Sequence, residues 1–276
     1  MTRAALIGVT AAALAAAGVA AQSPTYHSSP ERRDIVDRRD WGPWAGPFRA
    51  KLVPVLMQDF GERYLYAPAN AALPPPARGE RRIVFLGDSI TDLWNLAKAF
   101  PGKPYINRGI GAQVTAQMLV RFEDDVVDLK PKAVVLLAGT NAVSGMLQVE
   151  TPRTIIANIT AMADIADGRG IRVVLSSILP VNDYTDNARH MLVDRPPATL
   201  RAINAGLRDL ARRRGYAYID YAGAMSDRRG LLEAGLTNDG LHPNAVGYAR
   251  MTPIAAAAIA RALRAPAPRR ALPRPT

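Results

Sequence analysis

The stretch IVFLGDSITDLW, residues 83–94, starts as an apolar run and turns polar at Gly87, Asp88 and Ser89. A short apolar run that ends at a glycine predicts a buried β-strand followed by a turn. A serine directly after such a strand usually caps the next helix. It can also be a side chain that the end of the strand presents for reaction, and the other motifs of the chain distinguish these two roles.

Short apolar runs alternate with helix-like stretches along the rest of the chain. The predicted strands cover residues 82–87, 104–107, 132–138, 171–178 and 216–220. The predicted helices cover residues 91–99, 113–129, 151–168, 197–214 and 244–263. This alternation predicts an α/β fold in which helices cover both faces of a parallel five-stranded sheet. In such sheets the functional site lies at the carboxyl ends of the strands.

The chain begins with a short basic start at Arg3 and a run of small apolar residues, mostly alanine, which ends in Val-Ala-Ala before Gln22. This pattern predicts a signal peptide over residues 1–21 and a secreted or periplasmic protein. An uncleaved membrane anchor is the alternative, and the weak hydrophobicity of alanine disfavours it. No later segment is apolar enough to span a membrane.

Three further regions follow the predicted signal peptide. Residues 22–80 are rich in Pro and Arg and form a predicted N-terminal extension without a core of its own. Residues 81–263 hold the strand and helix pattern, and we expect them to form the domain. Residues 264–276 are basic and Pro-rich, which predicts a disordered tail.

The composition excludes some function classes and leaves the oligomeric state open. The 276 residues include no cysteine, so neither disulfides nor thiol chemistry are available. The net charge of +11 comes mainly from arginines scattered along the chain. Because no finger, basic helix or aromatic RNA motif accompanies them, we expect no nucleic-acid partner and interpret the charge as solubility or attraction to an anionic surface.

Polar or Gly-rich residues follow three of the predicted strands and precede the last helix. They are Gly87-Asp88-Ser89, Asn107-Arg108-Gly109-Ile110-Gly111-Ala112, Gly139-Thr140-Asn141 and Asn238-Asp239-Gly240-Leu241-His242-Pro243. Together they offer a hydroxyl, backbone N–H donors, a carboxamide, and a carboxylate near an imidazole. Acyl transfer through a serine needs a histidine base, a carboxylate that orients it, and donors for the oxyanion. A tight turn in Asp239-x-x-His242 would bring the two side chains together and leave Nε2 for Ser89.

The same segments resemble the conserved blocks of the GDSL or SGNH hydrolase family. FLGDSIT (85–91) is similar to the nucleophile block, NRGIGAQVTAQMLVRF (107–122) to the second block, VVLLAGTN (134–141) to the third and DGLHPNAVGY (239–248) to the last. The blocks stand in the family's order across about residues 81–262. The branch that the chain resembles most includes platelet-activating-factor acetylhydrolase-like and lysophospholipase-like enzymes. The resemblance implies a three-layer, flavodoxin-like SGNH hydrolase fold.

The resemblance also implies roles for single residues. Ser89 matches the nucleophile, Asp239 and His242 match the other two members of the triad, and Asn141 matches the carboxamide of the oxyanion hole. The N–H of Ser89 is a further oxyanion donor. The remaining family donor, usually a glycine, falls on Ala112 here.

Two positions depart from the family pattern, and three others are expected to support the site. Ala112 replaces the glycine of the oxyanion hole, and Ala142 replaces the aspartate that usually follows the asparagine of the third block. The expected supporting residues are Asp88, Asn107 and Gly111, and Gly111 is also a second candidate for the donor role.

The sequence therefore predicts a secreted serine esterase that needs no cofactor or metal. A small acyl group on a polar carrier, such as an acetylated carbohydrate, is the slightly favoured substrate, and lysophospholipase or thioesterase activity is the alternative. A catalytically weak relative that binds glycans or lipids is an alternative of another class. A metal hydrolase is disfavoured, since the chain has three histidines and only His242 lies in a motif. An α/β-hydrolase is disfavoured because the chain lacks a G-x-S-x-G motif.

Overall fold

The computed structural model describes residues 45–147 and 150–268. The predicted signal peptide, residues 22–44 of the predicted extension and residues 269–276 of the predicted tail lie outside the described residues. Within the described part of the chain, no helix is both long and apolar enough to cross a membrane.

The sheet is parallel and has five strands in the order β2-β1-β3-β4-β5. The strands are β1 (Ile83–Gly87), β2 (Tyr105–Gly109), β3 (Ala133–Leu137), β4 (Arg172–Ser176) and β5 (Ala217–Ile219). This order is that of flavodoxin-like folds, in which the topology reverses between β1 and β3. The predicted fold class is confirmed, and every predicted strand is present with ends within two residues of the prediction.

Helices of very different length connect the strands. In chain order they are α1 (Ala45–Gln58), α2 (Ala67–Ala72), α3 (Ser89–Asp92), α4 (Leu96–Ala99), α5 (Thr115–Val120), α6 (Thr140–Ser144), α7 (Pro152–Gly168), α8 (Met191–Asp194), α9 (Pro197–Arg214), α10 (Tyr221–Met225) and α11 (Ala245–Arg264). The described residues also form a π-helical turn at Glu123–Val127 and short 3₁₀ segments at Arg63–Leu65, Asp186–Ala188 and Ala234–Leu236.

Alternate residues of each strand bury their side chains in two separate cores. Val84 and Leu86 of β1 face one core, which α5, α7 and α9 cover. Ile83 and Phe85 of the same strand face the other core, which α4, α10 and α11 cover. Because both faces are covered, the strands read as continuous apolar runs instead of alternating ones. This explains why the apolar runs of the sequence located the strands well.

Two predicted helices are interrupted in the structure. The helix expected over residues 91–99 is split into α3 and α4, because the Asn95 side chain accepts a hydrogen bond from the Lys98 N–H and starts a new helix there. The helix expected over 113–129 ends as a regular α-helix at Val120 and continues as the π-helical turn. The long helices α7, α9 and α11 lie within two residues of their predicted bounds.

The sheet domain uses more of the chain than the expected residues 81–263. Tyr66 donates a hydrogen bond from its hydroxyl to the Gly109 carbonyl at the end of β2. Asn70 donates to the Asp125 side chain, and Glu62 is buried. Residues from about 60 to 72 therefore pack on the domain beside the second conserved block. This segment holds one Pro and one Arg, and its apolar stretch Tyr64–Tyr66 is the sequence signal for such packing.

Candidate functional site

Three strands end at the same level and deliver the first three motif segments to one edge of the sheet. The strand register pairs Gly87 of β1 with Gly109 of β2 and with Leu137 of β3. Ser89 follows its strand end by two residues, Ala112 by three and Asn141 by four. The parallel sheet therefore gathers these residues by topology, as the sequence analysis expected.

Asp88, and not Ser89, caps the short helix that follows β1. The Asp88 side chain accepts a hydrogen bond from the Ile90 N–H at 3.0 Å, and the aspartate is only 1% exposed. This leaves the Ser89 hydroxyl available for a partner elsewhere in the chain. The capping role that a serine usually has at such a turn thus belongs to its neighbour, Asp88.

The fourth segment is a tight loop before α11 that closes Asp239 onto His242. One carboxylate oxygen of Asp239 accepts hydrogen bonds from the N–H groups of Leu241 at 2.9 Å and His242 at 2.8 Å. The other oxygen lies 2.6 Å from Nδ1 of His242. Gly240 has φ of +80°, a conformation that favours glycine, and it makes the turn possible.

The imidazole of His242 bridges this loop to the turn after β1. Its Nε2 lies 2.9 Å from the Ser89 Oγ, 153 residues away in the sequence. The structure thus brings Ser89, His242 and Asp239 into one continuous series of contacts. Such an arrangement can move a proton from the hydroxyl to the imidazole while the carboxylate holds the ring.

The Asp239 carboxylate is held in its ionised form. Burial acts to raise the pKa of Asp239, but the hydrogen bonds from the His242 ring, the His242 N–H and the Leu241 N–H outweigh it. The pKa therefore lies well below its usual value. A carboxylate that stays charged can stabilise a protonated imidazole beside it.

Asn107 ties the second segment to the helix that carries Ser89. Its side-chain amide donates to the carbonyl oxygens of Thr91 at 2.6 Å and Trp94 at 3.1 Å, and its oxygen accepts from the Gly109 N–H at 2.8 Å. Gly109 has to be a glycine because a Cβ there would lie 2.1 Å from the Asp92 backbone nitrogen. Asn107 and Gly109 therefore hold the two loops close together.

Ala112 adopts a backbone conformation that explains why a glycine is usual at its position. Its φ is +65°, in the left-handed region. For an L-residue with a Cβ, this conformation is less favourable by roughly 1–2 kcal/mol of free energy. Within the described residues, neither the Ala112 N–H nor the Ser89 N–H donates to a protein acceptor. Both groups therefore remain available as donors to a bound group.

Gly111 is less suitable as a donor. Burial raises the pKa of the neighbouring Asp92, and a hydrogen bond from the Gly111 N–H acts in the opposite direction. Because the Asp92 carboxylate engages that N–H, Ala112 is the better candidate of the two.

Asn141 lies at the start of α6 and is buried. One of its amide N–H bonds is directed at the Gln113 carbonyl, with the nitrogen and oxygen 3.2 Å apart. A carboxamide has two N–H donors, so the second is left for a ligand. The contact also links the third motif segment to the second one, next to Ala112.

Replacement of Ala112 by glycine tests how the left-handed conformation affects the site. We expect the free energy of unfolding to rise by up to about 1 kcal/mol, since the steric cost at positive φ disappears and the added flexibility of glycine offsets part of the gain. We expect kcat to stay within about twofold, because the N–H remains in place. Urea unfolding and steady-state hydrolysis of p-nitrophenyl acetate measure both quantities.

Ala112→Val is the matched variant, because a β-branched side chain fits positive φ poorly. It should lower both stability and kcat. A large loss of kcat in Ala112→Gly would contradict this interpretation and would mean that the methyl group shapes the substrate pocket.

A fully buried arginine that the sequence analysis missed joins the first two segments. Arg121 donates to the Gly87 carbonyl at 3.1 Å, to the Gln113 side-chain oxygen at 2.6 Å and to Asp125 at 2.8 Å. Gln113 in turn donates to the buried Glu62 carboxylate. The available signal was a charged residue directly after α5 and between the apolar residues Met118, Leu119, Val120 and Phe122, because an arginine in such a place is buried only when it has partners.

Asp88 has a pKa raised to about 6, because burial outweighs its hydrogen bond from Ile90 and the attraction of His242 and Arg195. The folded protein therefore binds more protons than the unfolded chain between the usual value of 3.8 and about 6. The contribution of Asp88 to stability is present below this window and is lost as the pH rises through it.

Asp88→Asn should remove this loss while the Asn oxygen still caps the helix. Relative to the wild type, the variant should gain on the order of 2 kcal/mol in the free energy of unfolding between pH 4 and pH 7. Urea unfolding at several pH values measures the difference. Parallel stability curves for the two proteins would contradict the raised pKa.

In the described residues, no group of three or more His, Cys, Asp or Glu side chains could hold a metal ion. Of the histidines, His190 lies next to Asp194, 3.9 Å between Nε2 and the carboxylate, and it is not part of the site.

Comparison with known proteins agrees with the motif order. Residues 85–250, more than half of the chain, match the GDSL-like Lipase/Acylhydrolase family. The structure of a proposed acylhydrolase from Bacteroides fragilis is 33% identical, with a TM-score of 0.69 over 75% of this chain and 99% of that one. A GDSL-like lipase from Bacteroides thetaiotaomicron is also 33% identical, with a TM-score of 0.69 over 74% of this chain and 100% of that one.

Two more distant proteins are also similar. The structure of a Streptococcus pneumoniae protein, described as a proposed platelet activating factor, is 22% identical, with a TM-score of 0.65 over 77% of this chain and 99% of that one. An uncharacterised lipoprotein of Bacillus subtilis is 31% identical over 91 residues, which are 32% of this chain and 36% of the relative. The match thus spans about a third of that curated relative. Taken together, the family match and the two Bacteroides structures show that the chain belongs to the GDSL-like lipase/acylhydrolase family and is an ester-hydrolysing enzyme.

Proposed function

We propose that the chain is a serine esterase in which Ser89, His242 and Asp239 form a catalytic triad. The observation that supports this most directly is the continuous series of contacts from the Ser89 Oγ to the His242 Nε2 and from the His242 Nδ1 to Asp239. The ionised Asp239 fixes the tautomer in which Nδ1 carries the proton and Nε2 is free to accept one.

In the first half of the reaction, Nε2 of His242 takes the hydroxyl proton as the Ser89 oxygen attacks the ester carbonyl. The carbonyl oxygen becomes an oxyanion in the tetrahedral intermediate. The N–H groups of Ser89 and Ala112 and the free amide N–H of Asn141 are its proposed donors. The C–O bond to the alcohol then breaks, and the protonated His242 gives its proton to the leaving alkoxide.

In the second half, a water molecule replaces the alcohol. His242 takes a proton from the water, and the resulting hydroxide attacks the acyl-serine carbonyl to form a second tetrahedral intermediate. Collapse of this intermediate releases the carboxylic acid, and His242 returns the proton to the Ser89 oxygen. The same donors stabilise both intermediates, which is how one oxyanion hole serves two steps.

A small acyl group on a polar carrier remains the favoured substrate. Residues 142–151 and 180–198 are the expected sites of acyl selectivity. Val143 and Met146 of the first range, and Val181 and Met191 of the second, are buried in the core of the domain. These four side chains offer no surface for a long acyl chain, whereas Tyr184 and Val193 of the second range are exposed. Lysophospholipase or thioesterase activity is the alternative that a long-chain or thioester preference would support.

A substrate series tests this proposal. Ser89-dependent kcat/KM for p-nitrophenyl esters should be highest for acetyl and should fall as the acyl chain lengthens to palmitoyl, and acetylated xylan should release acetate. A maximum at long chains, or faster cleavage of thioesters, would contradict the small-acyl preference. Failure to turn over any ester would favour a glycan- or lipid-binding protein instead.

Export from the cytoplasm is part of the proposal. It rests on the signal-like pattern of residues 1–21, and a Bacillus subtilis relative is named a lipoprotein. The mature protein should begin at Gln22, which mass spectrometry of the protein recovered outside the cytoplasm would measure. Recovery of the full-length chain in the cytoplasm would contradict it.

A further inference from the structure

A buried carboxylate close to the site has no role in the proposed mechanism. Glu150 is 5% exposed, and burial raises its pKa despite a hydrogen bond from Thr115. One carboxylate oxygen accepts from the Thr115 hydroxyl at 3.1 Å and from the Asn158 amide at 3.4 Å. The other oxygen is buried without a partner in the described part of the chain. Burial of a carboxylate lowers the stability of the folded protein unless hydrogen bonds or ion pairs compensate for the lost hydration, so the position of Glu150 calls for an explanation.

Glu150 contacts two segments that carry proposed donors of the oxyanion hole, the loop of Ala112 and the helix of Asn141. Thr115 is the first residue of α5 and lies three residues after Ala112. The Glu150 N–H donates to the carbonyl of Ala142 at 3.1 Å, and Ala142 directly follows Asn141. Through its backbone and its side chain, one residue thus joins the loop of Ala112 to the helix of Asn141.

The same place in the chain lacks a carboxylate that the family pattern usually supplies. Ala142 stands where an aspartate commonly follows the asparagine of the third block, and its side chain is fully buried. Alanine supplies no carboxylate at position 142. Glu150 reaches the start of α5 from the far side of the loop after α6 and provides a carboxylate to Thr115 there.

From these contacts we propose that Glu150 is a positioning residue, which holds the Ala112 loop and the Asn141 helix in register. It does not touch the substrate. It acts through Thr115 and Ala142 on the geometry of the oxyanion donors, so it affects the transition state and not the bound ester. The inference rests on the proposed function.

Glu150→Gln and Glu150→Ala test the inference in the full-length chain, with Glu80→Gln as the matched control. Glu80 also pairs with a side chain, Arg82, and with a backbone N–H, but it lies before β1 at the opposite end of the sheet. Glu150→Ala removes the acceptor of the Thr115 hydroxyl and should lower kcat for p-nitrophenyl acetate about 10-fold with KM within about twofold, as expected when oxyanion donors shift. Glu80→Gln should keep wild-type kcat.

The conservative variant provides the sharper readout. Glu150→Gln keeps a side-chain oxygen that can accept from the Thr115 hydroxyl, so it should keep kcat within about twofold of the wild type. A role of the ionised carboxylate that did not depend on this contact would lower kcat in Glu150→Gln as well.

Two results would overturn the inference. One is wild-type kcat in Glu150→Ala. The other is a loss of kcat in Glu150→Gln equal to that in Glu150→Ala when the thermal midpoint of Glu150→Gln matches that of the wild type. Full activity of Ser89→Ala would instead overturn the proposed function itself, so the two failures can be told apart.

Discussion

Ser89→Ala should lose ester hydrolysis almost completely. Removal of the hydroxyl takes away the proposed nucleophile that contacts His242, and loss of a serine from such a triad lowers kcat by about 10⁶-fold. The residual rate would come from binding and the oxyanion donors alone. Steady-state kinetics with p-nitrophenyl acetate at enzyme concentrations high enough to see slow turnover would measure the loss.

The variant should remain folded, which makes the result interpretable. The Ser89 side chain has one hydrogen-bond partner within the described residues, the His242 ring, and the turn is capped by Asp88. Circular dichroism and urea unfolding should therefore match those of the wild type within about 1 kcal/mol. A folded Ser89→Ala protein with wild-type kcat would contradict the serine mechanism.

Asp239→Asn should lower kcat by about 10⁴-fold without unfolding the loop. The asparagine oxygen can still accept from the Leu241 and His242 N–H groups. Its amide nitrogen, however, would face Nδ1 of His242 as a donor. Nδ1 then has to be the unprotonated nitrogen, so Nε2 carries the proton and cannot take another from Ser89.

Asp227→Asn is the matched control for this change. Asp227 also accepts hydrogen bonds from two backbone N–H groups, those of Arg229 and Leu231, and from a side chain, the hydroxyl of Tyr184. It lies in an exposed turn outside the site. We expect its variant to keep kcat within about twofold. An Asp239→Asn enzyme no slower than this control would show that Asp239 does not orient the histidine.

The sequence predicts the sheet and the gathering of the site residues because both depend on local signals. Strands that are buried on both faces appear as apolar runs, and parallel strands bring the residues after them to one edge. Ser89 and Asn141 were predicted by that rule, and the Asp239–His242 pair was predicted from its spacing before the last helix. The family resemblance then added Ala112, which no apolar pattern indicates.

Other parts of the site depend on contacts between distant segments, which leave no periodic signal. The left-handed φ of Ala112 is set by the path of its loop, and the packing of Tyr66 and Glu62 on the second block is set by tertiary contacts. Arg121 and Glu150 are buried ionisable residues that each have a partner far away in the sequence, the Gly87 carbonyl for Arg121 and Thr115 for Glu150. Such groups can be found only when the fold shows which polar atoms meet.

The measurement that tests the central claim most directly is covalent trapping of the nucleophile. A p-nitrophenyl alkylphosphonate should react once per chain, since a serine Oγ–P bond forms as p-nitrophenolate leaves. Trypsin should then yield the peptide of residues 83–98, in which Ser89 is the only serine, and mass spectrometry should find the adduct on it. We expect a stoichiometric adduct on Ser89 in the wild type and none in Ser89→Ala. An adduct on another residue, or equal labelling of both proteins, would contradict the assignment of Ser89 as the nucleophile.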